Sequence, residues 1–98
     1  MRTTRQEILS SLKKLKGEVA KDYSVRKIGV FGSVARSEDT KESDIDLLVE
    51  FSKPVGFVTF MKLEHFLTKQ LGGQVDLVTA DSIKPVIRQE ILAEVIYV

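Results

Sequence analysis

The chain of 98 residues has no cysteine, no tryptophan, one histidine and two prolines. Without cysteine there is no disulfide framework, no thiol nucleophile and no thiolate zinc site, and His65 alone cannot build a histidine metal cage. Any bound metal must rest on carboxylates. Excess charge is missing as well: 15 basic against 14 acidic residues leave a net charge of +1, which gives no bulk field to hold a nucleic-acid backbone or an anionic membrane. No apolar run nears the roughly 20 residues of a membrane span, and Met1 leads into Arg2, Arg5 and Glu7 rather than a signal-peptide core. A cytoplasmic protein is expected, with no membrane and no nucleic acid among its partners. Also absent is mass for a second folding unit, so residues 1–98 are read as a single domain. A chain this small buries about two-thirds of its unfolded surface, and any large substrate has to be met outside that core.

What is present is an ordinary globular composition, 43% hydrophobic and 30% charged, which can fold around one core. From Thr4, Ile8, Leu9, Leu12, Leu15 and Val19 recur at helical spacing. Val25 to Phe31 is a β-branched, apolar run halted by Gly32-Ser33 and reads as a buried strand, with a short helical turn over Val34 to Arg36. Ser37 to Ser43 is polar and reads as a loop. Asp44 to Phe51 alternates, with Ile45, Leu47, Val49 and Phe51 on one face of a second strand. Phe60, Leu63, Leu67 and Leu71 form a helical stripe that Gly72-Gly73 ends. Gln74 to Thr79 is a third strand, and Asp81 or Ser82 can cap a last helix with Pro85 in its first turn and Ile87, Ile91 and Val95 inward. Ile96-Tyr97-Val98 fits a helix end or an edge strand. The expected class is α+β, a small mixed sheet of three to four strands flanked by helices. The second and third strands are parallel because a helix crosses between them, while the first two could run either way.

Asp44 and Asp46 stand two apart on a predicted strand, so both leave the same face, although aspartate is depleted from strands. Neighbouring anions repel unless a cation lies between them, and hard divalent ions take oxygen ligands. A Mg²⁺ site explains the pair economically. Asp76, near the start of the third strand, adds a third acid inside an apolar run. Three carboxylates on one sheet face suit two-metal phosphoryl or nucleotidyl transfer. The plain alternative is the wet face of an edge strand, since aspartate is mostly exposed. Gly32-Ser33 weighs against it: directly after a buried strand, such a turn aims backbone N–H groups at an anion, and glycine clears the approach. His65 falls with Lys62 and Lys69 on the polar side of its helix and is left outside the site, and Lys13, Lys14 and Lys16 read as a solvated helix face.

Gly32-Ser33, ten intervening residues, Asp44-Ile45-Asp46 and the later Asp76 together closely resemble the nucleotidyltransferase superfamily of DNA polymerase β. Within it, Phe31-Gly32-Ser33-Val34-Ala35-Arg36, the strand Ser43 to Val49 and Val75-Asp76-Leu77-Val78 look like the minimal nucleotidyltransferases, antitoxin-type partners of HEPN toxins. The resemblance spans Val25 to Val98. One departure is Ser37, where these proteins often carry glycine. The resemblance implies a nucleotidyltransferase fold in which Asp44 and Asp46 hold two Mg²⁺ ions and Asp76 completes the metal set and assists deprotonation of the acceptor. It implies that Gly32 and Ser33 hold the triphosphate of ATP, with Arg36 as a phosphate contact or a surface ion-pair partner. The implied reaction is metal-dependent transfer of AMP from ATP to a hydroxyl, a tyrosine, of a HEPN-family partner. Two other readings stay open: a non-catalytic antitoxin that neutralises its partner by occlusion, and nucleotidyl transfer to a small molecule, which normally needs an additional domain. Oligomeric state is left open, a homo-oligomer included.

Overall fold

The computed structural model describes residues 5–38 and 44–98. Helix α1 (Arg5–Tyr23) leads into strand β1 (Val25–Phe31), the one-turn helix α2 (Gly32–Ala35) and strand β2 (Ile45–Phe51). Helix α3 (Phe57–Leu71), strand β3 (Val75–Thr79), a 3₁₀ turn (Ala80–Ser82), helix α4 (Pro85–Glu94) and strand β4 (Ile96–Tyr97) complete the chain. The sheet order is β3-β2-β1-β4. The direction left open by sequence is antiparallel for β1 and β2, whereas β2 and β3 are parallel as the intervening helix requires. The terminal Ile-Tyr pair is an edge strand, antiparallel to β1. The expected loop over 37–43 lies outside the described residues from 39 to 43.

Each element buries the face its spacing dictates. Ile8, Leu12 and Val19 of α1 and Leu63, Leu67 and Leu71 of α3 pack on one side of the sheet against Ile28, Val30, Leu47, Val49, Val75 and Leu77. Removing each such side chain from water contributes about 1.5–3 kcal/mol, which is why both helices lie on that side. Gly72, left-handed at φ 70, ends α3 and donates its N–H to the Thr68 carbonyl. Two N–H groups of the edge strand β3 are taken by α3 side chains: Val75 donates to Thr68 Oγ1 at 3.2 Å and Leu77 to Glu64 Oε2 at 3.1 Å. Those bonds leave less of that edge open to another strand.

The opposite side of the sheet is only partly covered. Phe31, Leu48 and Ile83 form a small buried cluster with Val78, Ala80, Ile91 and Val95 packed around it. Two expectations for the last helix need correction. Its N-cap is Lys84, not Asp81 or Ser82, which lie in the 3₁₀ turn where Ser82 Oγ donates to the Thr79 carbonyl. Ile87, in the first turn of α4, is 44% exposed, while Ile91 and Val95 pack on the small cluster. The remainder of this face carries the acids.

Candidate functional site

Strand alternation and register decide where the carboxylates fall. In β2, Ile45, Leu47 and Val49 point to the main core, so Asp46 points to the other side. The strand begins at Ile45 rather than Asp44, and Asp44, just before it, is near enough for its charge to act on Asp46. The parallel register pairs Asp46 with Asp76 directly. Residues paired across adjacent strands share a face, so Asp46 and Asp76 stand on one side of the sheet, with Asp44 next to them at the start of the strand. Across the antiparallel ladder, Asp46 faces Phe31, the residue before Gly32. The chain thereby brings the glycine-serine turn against the acid pair.

Gly32 is fixed twice over. Its φ of 74 lies in the left-handed region, and a Cβ there would stand 2.2 Å from Asp46 Oδ2. Any other residue would strain the backbone and displace the carboxylate. Ser33 follows in the half-buried first turn of α2, whose carbonyl accepts the Glu38 N–H at 2.8 Å. Arg36 closes the turn and donates from Nε to Glu38 at 2.9 Å and from Nη1 to Glu94 at 2.7 Å. Of the two roles weighed for Arg36, the ion pair is what the structure contains. Ser37, the departure from the family pattern, sits at φ 58, a left-handed position where glycine carries no Cβ strain.

Electrostatics mark Asp46 out. Burial first, then Asp76, Asp44 and Glu94, together push its carboxyl from 3.8 up to about 6 against the opposing charge of Arg36. A half-buried carboxyl crowded by acids gains from a cation, and oxygen donors suit Mg²⁺. The donor chemistry of Asp44, Asp46 and Asp76 therefore fits a hard divalent ion. As the side chains stand, no three acid or histidine groups among the described residues are gathered into a metal cluster. The strands provide the juxtaposition, and the rotamers do not close it.

Sequence reasoning missed Glu94. It ends α4, and its Oε1 accepts the Gly32 N–H at 3.3 Å while Oε2 accepts from Arg36. Nothing in local spacing signals a contact across 62 residues. His65 is exposed on α3, away from the acids, as its helix face suggested. A cavity of about 940 Å³ bounded by Phe51, Pro54, Phe57, Phe60, Arg88 and Leu92 lies toward the far end of β2, and none of Asp44, Asp46 or Asp76 lines it. Asp44 and Asp76 are exposed and Asp46 is half-buried. Acids placed so beside a glycine-serine turn can hold a phosphate chain through a hard cation and present its reacting phosphorus to an acceptor.

Comparison with known proteins bears on that chemistry. The nucleotidyltransferase domain model matches residues 12–98. The chain is 43% identical to the protein adenylyltransferase MntA of Thermococcus cleftensis, over 97% of this chain and 96% of that protein. A solved structure described as a minimal nucleotidyltransferase superposes with a TM-score of 0.84 at 29% identity, covering 97% of this chain and 96% of that one. The fold is also shared with a complex of a Shewanella oneidensis MNT antitoxin and its tri-AMPylated HEPN toxin, at 23% identity and a TM-score of 0.66, over 96% of this chain and 71% of that one.

Proposed function

The chain belongs to the nucleotidyltransferase domain family, and from that premise we propose that it transfers AMP from ATP to a tyrosine hydroxyl of a HEPN-family partner, acting as its antitoxin. The observation that carries this reading is the in-register pair Asp46 and Asp76 beside a Gly32 that admits no side chain. Gly32 and Ser33 hold the triphosphate, and Arg36 adds a cation at its edge. Mg²⁺ held by Asp44, Asp46 and Asp76 supplies charge neutralisation on the phosphates when bound. The acceptor oxygen bonds to the α-phosphorus, the bond to the bridging oxygen breaks, and pyrophosphate leaves. The acceptor's proton passes to the Asp76 carboxylate. Positioning and charge neutralisation carry most of the rate, and no covalent enzyme intermediate is needed.

Two features support a protein acceptor. The relative from Thermococcus cleftensis is named for protein adenylylation, and Phe57, Val58 and Val86 are largely exposed apolar side chains of the kind that partner surfaces use. The test is incubation of the chain with labelled ATP, Mg²⁺ and the protein encoded beside it. Label should move to the partner with the wild type and fail to move with Asp44→Asn or Asp76→Asn. A wild type that transfers no label to that protein would overturn the assignment of the acceptor.

A further inference from the structure

We propose that Glu94 is a positioning residue of this site: its carboxylate bridges the Gly32 amide and the Arg36 guanidinium and holds Arg36 ready for the triphosphate. The proposal rests on the nucleotidyl-transfer reading and adds a residue to it.

The contact follows from sheet register. β1 and β4 pair Gly29 with Tyr97 and Val30 with Ile96. Continuing that antiparallel register two steps brings Gly32 opposite Glu94, the last residue of α4. The approach is close enough that a Cβ on Gly29 would stand 2.8 Å from the Ile96 carbonyl oxygen. The pairing itself ends at Val30 and Ile96, and Glu94 reaches the turn from the last position of α4. Its two oxygens then divide between two donors of the turn, the Gly32 N–H at 3.3 Å and Arg36 Nη1 at 2.7 Å.

An additional anion beside three acids is unfavourable on its own, and Arg36 is what offsets it. Glu38 takes Nε of Arg36 and Glu94 takes Nη1. A guanidinium fixed on two sides is preorganised for a phosphate oxygen, because its rotamer freedom is already lost before the ligand arrives. A carboxylate that merely blocked the turn would make the opposite prediction, since its removal would improve nucleotide binding.

The experiment is steady-state transfer by the full chain with Mg²⁺ and partner, varying ATP, for wild type, Glu94→Ala, Glu94→Gln, Arg36→Ala and the double alanine variant. Glu94→Ala should raise KM for ATP about tenfold with kcat changed less than about twofold. Glu94→Gln keeps one acceptor oxygen and replaces the other with a donor, so it can hold one of the two donors and should recover only part of the loss. The double variant should be no worse than Arg36→Ala, because the two residues act as one unit. An unchanged or lower KM in Glu94→Ala, or losses that multiply, would overturn the proposal. Affinity for a non-hydrolysable ATP analogue, measured by calorimetry on the same variants, separates the two readings. If the wild type transfers no label, the transfer reading fails, while weaker analogue binding by Glu94→Ala and its partial recovery in Glu94→Gln still decide the role of Glu94. Should Glu94→Ala fail to fold, Glu94→Gln compared with Arg36→Ala gives the same decision.

Discussion

Replacing Asp46 with asparagine should stabilise the fold while removing its chemistry. The Asp46 carboxyl is raised from 3.8 to about 6, chiefly by burial and then by Asp76, Asp44 and Glu94. Fully expressed, that displacement corresponds to about 3 kcal/mol. The side chain is only half-buried, so solvent screening reduces the figure to about 1–2 kcal/mol. The sign follows from proton linkage. A carboxyl raised in the native state binds a proton more tightly when folded, so its contribution favours folding below about pH 4 and is lost as pH rises through about 6. Above pH 6 the ionised Asp46 opposes folding in full. Asparagine keeps the shape and lacks the charge. Denaturant titrations at pH 8 should therefore show Asp46→Asn more stable by about 1–2 kcal/mol, with Tm higher by about 4–16 °C for a domain of this size. At pH 3.5 the two proteins should be indistinguishable. A variant less stable than wild type at pH 8, or a gain equal at both pH values, would refute the reasoning.

Two backbone substitutions test the turn that carries the site. Gly32→Ala should cost about 1–2 kcal/mol from left-handed strain, and its new Cβ would push the Asp46 carboxylate aside. Denaturant titration should show that loss, and nucleotide transfer should disappear with it. Ser37→Gly works in the opposite direction: at φ 58 it relieves strain that serine carries, offset by the extra freedom glycine brings to the unfolded chain. Its net effect should lie between neutral and about 1 kcal/mol stabilising by the same titration, with transfer retained.

Much of the fold was legible because alternation and helical spacing agree with burial. Ile45, Leu47 and Val49 pointed one way in sequence and do so in the sheet, which fixes Asp46 on the other side. The helix between β2 and β3 required them to be parallel, and the parallel register then sets Asp46 beside Asp76. The direction of β1 against β2 had no comparable constraint. A connection from Gly32 to Ser43 is long enough for either, and only the formed ladder decides. Ile87 shares a helix face with Ile91, yet it lies in the first turn of α4 and is exposed: spacing marks the face and not how far along it burial extends. Glu94 had no sequence signal. Its place depends on the register of a two-residue strand that periodicity cannot detect. For Arg36 the sequence admits a phosphate contact or an ion pair, and its bonds to Glu38 and Glu94 make the second.

Whether Asp46 and Asp76 share a divalent ion in the presence of a nucleotide is the most direct question, and Mn²⁺ titration followed by electron paramagnetic resonance answers it. With a non-hydrolysable ATP analogue present, the wild type should sequester Mn²⁺ beyond what the analogue alone binds, and both Asp46→Asn and Asp76→Asn should lose that excess. Equal Mn²⁺ uptake by wild type and Asp76→Asn would contradict the account.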